Sequence, residues 1–135
     1  MKIVIVTAGV IIEKSKALVA QRKENSSHGL LWEFPGGKVE EGEEPREALR
    51  RELKEELDIE VEVGRIFDVV FHAYSDYPIL LLAYHCRMEK GIPKPIGCHA
   101  FQWVNPRELK RLEMPKADEP IRKHLCSSEE GRLLF

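Results

Sequence analysis

The chain opens on "KIVIVTAGVII" at residues 2–12, an almost unbroken apolar and β-branched run, followed after a polar "EKS" by a second apolar run, "KALVAQR", at 16–22. Runs of this length and composition predict buried strands joined by a short turn at 13–15. "KENSSHG" at 23–29 is polar and turn-forming and predicts a surface loop. The pattern then changes period. In "PREALRRELKEEL" at 45–57 leucines recur at helical spacing among strong helix formers, with Pro45 where a first turn tolerates it, so a helix is expected there.

Two more apolar stretches, 59–75 and 78–88, predict strands separated by a turn near Asp76 and Pro78. The second is nearly all apolar, as a central strand would be. "FQWV" at 101–104 adds a short strand, and Asn105 is placed to cap a helix beginning at Pro106. A last helix is expected over 118–126, with Asp118 and Glu119 at its acidic start and Lys123 and His124 near its end. The segment 127–135 carries no clear signal. The order of strands, helix, strands, helix, without repeat or linker, predicts one α/β domain over 1–135 around a mixed sheet.

Composition narrows the partners. Apolar residues make up 43% of the 135 and charged residues 33%, with a net charge of -2. That balance gives no reason to expect a nucleic-acid polymer or an anionic membrane as partner. The first apolar run is interrupted by Glu13 and Lys14, far short of spanning length, so neither a signal peptide nor a membrane segment is expected. Cys86, Cys98 and Cys126 are odd in number and widely spaced, which argues against a disulfide framework or a zinc site and for the reducing cytoplasm. Monomer and homodimer both remain open.

The chemistry concentrates in "EFPGGKVEEGEE" and the helix behind it. Glu52, Glu55 and Glu56 stand at i, i+3 and i+4, one stripe of three carboxylates, while Leu49, Leu53 and Leu57 line a neighbouring stripe that can pack on the sheet. Like charges at this spacing repel, and a divalent cation would reverse the sign of that cost. Clustered carboxylate oxygens are what Mg²⁺ selects, commonly together with substrate phosphates. Gly36 and Gly37 are expected to form a turn with unusual dihedrals, and Lys38 supplies a point charge for phosphate.

From Gly37 to Ile59, "GKVEEGEEPREALRRELKEELDI" resembles the Nudix box: Gly37, Glu43, Arg51, Glu52, Leu53, Glu55, Glu56 and Ile59 all fall where that pattern asks. Asp58 replaces the second glycine of the pattern, at the helix C-terminus, where Asp can still take a left-handed conformation. The flanking "LWEFPGGKVE", Arg22 and "PKADEP" resemble the MutT-like branch, the nucleoside triphosphate pyrophosphohydrolases.

The resemblance implies an α/β/α sandwich with a central mixed sheet, and Mg²⁺-dependent hydrolysis of a nucleoside triphosphate to the monophosphate and pyrophosphate, with Mn²⁺ as a possible substitute. It implies Glu52, Glu55, Glu56 and the Gly36 carbonyl as metal ligands, and Glu52 as general base or water-orienting group. Arg51 would hold Glu52, Glu43 and Lys38 would support the loop, and Arg22 and Lys38 would meet phosphates. A further ligand Glu, expected six residues before Trp103, is replaced by Gly97. For the base, His28, Tyr74 and Tyr77 offer ring faces and Asp118 offers hydrogen bonds. The family member that clears 8-oxoguanine nucleotides carries Asn at the position of Asp118, so oxidised dGTP and cytosine nucleotides are both candidate substrates. Two other readings stand beside this one: a dinucleoside polyphosphate or nucleotide-sugar hydrolase of the same superfamily, and a binding module that has lost catalysis.

Overall fold

The computed structural model describes residues 2–135. Strands β1 (Val4–Glu13) and β2 (Lys16–Gln21) form the opening hairpin, its turn placing Lys14 and Ser15 at positive φ. After the loop come two short strands, β3 (Trp32–Glu33) and β4 (Gly36–Lys38), then helix α1 (Pro45–Leu57). The long strands β5 (Glu60–Ala73) and β6 (Pro78–Lys90) form a second hairpin, and β7 (Ala100–Val104) leads into helices α2 (Pro106–Arg111), α3 (Glu119–Ser127) and α4 (Glu129–Leu134).

The strands order as β3-β2-β1-β6-β5, with β4 paired to β1 and β7 to β2. Only β1 and β6 run parallel; every other pair is antiparallel, so the sheet is mixed. The apolar β6 lies between β1 and β5, the central place its composition requires. Each face of the sheet is buried separately. Leu49, Leu53 and Leu57 of α1 pack with Ile11, Leu18 and Tyr84 on one side, while Leu109 of α2 and Ile121 and Leu125 of α3 pack with Val10, Val70 and Leu81 on the other. These layers make the α/β/α sandwich. No helix among the described residues is long and apolar enough to cross a membrane.

Helix boundaries follow local chemistry. Glu44 caps α1 by accepting from the Glu47 N–H, Pro45 occupies the first turn, and Asp58 ends the helix at φ 54°, ψ 41°, the left-handed conformation expected of it. Asn105 caps α2 through a reciprocal capping box with Glu108. Two expectations are corrected. "GGK" is a strand, since Gly36 and Gly37 pair with Ala8 and Thr7 of β1, and neither glycine has positive φ. The segment after residue 127 folds as α4, whose cap is Ser128 accepting from Gly131 N–H.

Candidate active site

Burial of the leucine stripe fixes the roll of α1 and turns its acidic stripe toward β3 and β4. Arg51 is the hub of this region. Its Nε and Nη2 donate to both oxygens of Glu43 at 2.8 and 3.0 Å, Nη2 also to the Lys38 carbonyl at 3.0 Å, and Nη1 to Glu52 Oε1 at 2.8 Å and Glu55 Oε2 at 3.3 Å. The hydrogen bonds from Arg51, joined by one from the Glu40 N–H, hold the Glu43 carboxyl below the usual range. One guanidinium thus ties the loop after β4 to the helix and aims Glu52.

Gly36 and Gly37 are there for close approach rather than for unusual dihedrals. A Cβ on Gly36 would overlap the Thr7 backbone, and one on Gly37 would overlap the Glu52 carboxylate. The Gly37 carbonyl accepts from Thr7 Oγ1 at 3.0 Å.

A cleft of about 510 Å³ opens over this strand. It is lined by Glu52 and Glu56 from α1, Glu33 from β3, Glu40, Arg22 from the end of β2, and Gly36, Gly37 and Lys38. His28, Tyr74, Tyr77 and Asp118 line it as well, Asp118 sharing a smaller recess with Arg22, Glu33 and Gly36. Sequence reading selected most of these residues but missed Glu33 and Glu40. The only signal for Glu33 was a lone acid in the otherwise apolar "LWEFP". Three of the selected residues do not line the cleft: Glu43 and Arg51 sit behind Glu52, and Glu55 is mostly exposed on the outer side of Arg51.

Five carboxyls, Glu33, Glu40, Glu52, Glu56 and Asp118, line this cleft, and their electrostatics are unfavourable as they stand. Arg22 Nη1 meets Glu33 Oε1 at 2.9 Å. Burial, with the charges of Glu33 and Glu52 added, pushes Glu56 up to about 9, and its Oε2 is buried without a partner. Burial also raises Glu52, against the pull of Arg51. An orphaned carboxylate oxygen among mutually repelling acids fits a hard divalent cation. Glu52, Glu56 and the Gly36 carbonyl could hold it. No three His, Cys, Asp or Glu side chains among the described residues meet around one point; Glu52 is turned to Arg51 and Glu33 to Arg22.

Gly97 lies where the resemblance places the missing carboxylate. Its N–H donates to the Glu56 carbonyl at 2.9 Å, and a Cβ there would lie 3.1 Å from Glu56 Cα.

The aromatic lining residues cluster around Tyr74. The Tyr74 ring lies 4.8 Å from His28 and 6.2 Å from Tyr77, with His72 behind it at 4.4 Å. The Tyr74 hydroxyl accepts from Ala117 N–H at 3.0 Å, which ties this cluster to the segment before Asp118. Asp118 makes no helix-capping bond with its side chain. Its Oδ2 instead accepts from Phe34 N–H at 3.0 Å, far along the chain, and burial, with the charge of Glu33, raises its carboxyl well above the ordinary range. Such a group can carry a proton and both donate and accept.

A family model described as "NUDIX domain" matches residues 7–124. The CTP pyrophosphohydrolase of Escherichia coli is 39% identical over 121 residues, covering 90% of each chain. The 8-oxo-dGTP diphosphatase of Proteus vulgaris is 46% identical over 77 residues, 56% of this chain and 69% of that protein. Among solved structures, that of the E. coli ORF135 protein superimposes with a TM-score of 0.79 at 37% identity, covering 92% of this chain and 89% of the other.

Proposed function

The chain belongs to the NUDIX domain family, and from that premise we propose that it is a MutT-like pyrophosphohydrolase of the nucleotide pool, hydrolysing a (deoxy)nucleoside triphosphate to the monophosphate and pyrophosphate. The observation that carries this reading is that one cleft is lined by Glu52, Glu56, Arg22 and Lys38 together with Tyr74, Tyr77 and Asp118. The first group suits a polyphosphate and the second a base. The names of the similar proteins, a CTP pyrophosphohydrolase and an 8-oxo-dGTP diphosphatase, support the same class.

In this reading the triphosphate lies along Arg22 and Lys38, whose charges meet its oxygens. Glu52, Glu56 and the Gly36 carbonyl, with Glu55 nearby, would hold Mg²⁺, which would supply charge neutralisation and polarisation of the phosphorus centre. Glu52 takes the proton of the attacking water; burial raises its affinity for that proton, and Arg51, braced by Glu43, holds it in place. The water oxygen bonds to phosphorus as the bridging P–O bond between the α- and β-phosphates breaks. Pyrophosphate and the monophosphate leave.

Tyr74, Tyr77 and His28 offer faces for the base. Asp118, able to donate one hydrogen bond and accept another, suits N3 and N4 of cytosine or O6 and N1 of an oxidised guanine. Three free cysteines at wide spacing support work in a reducing cytoplasm.

The test is pyrophosphate release with Mg²⁺ across the common NTPs and dNTPs, 8-oxo-dGTP, 5-methyl-dCTP, ADP-ribose and diadenosine tetraphosphate. Turnover of one triphosphate class, abolished by EDTA, is expected. Cleavage of ADP-ribose or the dinucleotide alone would move the chain to another branch of the family. No turnover of any compound would favour a binding module.

A further inference from the structure

The Arg22–Glu33 ion pair occupies the place of two unlike partners. Glu33 sits opposite Ala20 in the β2–β3 ladder, and Arg22 follows the last residue of β2, so the two side chains meet at one strand end. Their contact is 2.9 Å, with the Glu33 side chain 17% exposed and that of Arg22 29%. Arg22 is steadied from behind, its Nε donating to the Ser27 carbonyl at 2.6 Å. Both residues line the main cleft and also a small one beside Gly97 and Cys98, where Glu56 is again a wall.

Among the described residues Arg22 is the only arginine lining this cleft, and its charge is neutralised by Glu33. A polyphosphate needs that guanidinium free. Glu33, in turn, lines the small cleft together with Glu56, whose Oε2 is unpartnered, and Gly97, which brings no carboxylate. Losing either partner alone would leave a half-buried charge unpaired, which is costly. Losing both at once, each to a new partner of the proper sign, is not.

Resting on the pyrophosphohydrolase reading above, we propose that this pair is exchanged on substrate binding: phosphate takes Arg22, and the divalent cation takes Glu33 as an added oxygen ligand in place of the one that Gly97 lacks. The Arg22–Glu33 bond then couples the two ligands, because each one that binds releases the group the other needs. Coupling of this kind is reciprocal.

The experiment measures binding rather than turnover. Mn²⁺ is titrated by the EPR signal of the free ion, and an α,β-methylene triphosphate analogue by calorimetry, each with and without the other. The variants are E33Q, R22Q, the double variant E33Q/R22Q and the transplant E33Q/G97E. In the unmodified protein each ligand should tighten the other by about tenfold or more. R22Q should bind Mn²⁺ alone more tightly than the unmodified protein, because Glu33 is released. E33Q should bind the analogue alone more tightly, and its coupling should fall severalfold. E33Q/G97E should recover Mn²⁺ affinity without recovering the coupling, because no Arg22–Glu33 bond remains to be exchanged. Equal Mn²⁺ affinity and equal coupling in E33Q and the unmodified protein would overturn the exchange and leave Glu33 a strand-end brace. Should a single variant fail to fold, E33Q/R22Q leaves neither charge unpaired, and coupling as strong as in the unmodified protein would overturn the proposal equally. Failure of the unmodified protein to bind the analogue with Mn²⁺ present would strike at the pyrophosphohydrolase reading instead.

Discussion

Glu52 rests its carboxylate against the bare Cα of Gly37, in space that a Cβ at that position would take. The neighbouring glycine is bare for another reason, since a Cβ on Gly36 would meet the backbone of Thr7. The two alanine substitutions should therefore fail differently. In G37A the obstacle is the far end of a flexible side chain, so the fold holds while Glu52 is displaced; kcat is expected to fall roughly 10–100-fold with little change in Tm. In G36A the obstacle is a β-strand, and a loss of roughly 1–3 kcal/mol of stability is expected. Thermal melts beside steady-state kinetics separate the cases, and a G37A enzyme with normal kcat would show that the position of Glu52 is not critical.

Arg51 reaches Glu43, Glu52, Glu55 and the Lys38 carbonyl with one planar fork. Lysine keeps the charge but has no fork, so R51K cannot brace the loop and aim Glu52 together. The expected result is a fall in kcat of roughly 10–100-fold with KM changed far less, because Arg51 lies behind the cleft and touches no substrate. An equal effect on KM would mean that the loop bearing Lys38 had moved as well.

Most of this architecture could be read from the chain because its signals were local. The period of "PREALRRELKEEL" gave α1 its bounds, its buried stripe and its acidic stripe together, and the apolar "PILLLAY" marked the central strand. The glycine pair misled because glycine serves two ends: positive φ and close approach look alike in a sequence, and only the packing of Thr7 and Glu52 tells them apart. Glu33 and the true partner of Asp118 were hidden for a similar reason. Asp118 looks like a helix cap, yet its bond is to Phe34, 84 residues away, and no local pattern carries that pairing. α4 was missed because its six residues have little periodicity and are held by tertiary contacts.

Asp118 is buried, bonded to Phe34 N–H and lines the cleft proposed to take the base. D118N keeps an acceptor for Phe34 but can no longer alternate between donor and acceptor on a single carboxyl. The kcat/KM ratio of cytosine to oxidised-guanine triphosphates should shift by about 10–100-fold, the size of one bidentate base contact. Stability should hold, since a buried acid is exchanged for a neutral group of the same shape. An unchanged ratio would remove Asp118 from base recognition and leave it a tie between β3 and α3.

Glu130 joins the C-terminal helix to the sheet through His85 of β6 and to α3 through His124. Its Oε2 lies 3.2 Å from His85 Nε2 and its Oε1 3.0 Å from His124 Nε2, while His124 Nδ1 faces Asp68 Oδ2 at 3.1 Å and Arg65 approaches Glu130 at 3.9 Å. Burial raises the Glu130 carboxyl, but the hydrogen bonds from His85 and His124 outweigh it and hold the group below its usual value of 4.5. A depressed carboxyl contributes stability that is present above 4.5 and lost as pH falls through the folded value, because the unfolded chain then binds the proton first. E130Q should therefore lower Tm at neutral pH and open residues 129–134 to hydrogen exchange. The gap between E130Q and the unmodified protein should close as the melts are repeated at acid pH. A gap that persists undiminished in acid would mean that Glu130 holds α4 by packing rather than by its charge.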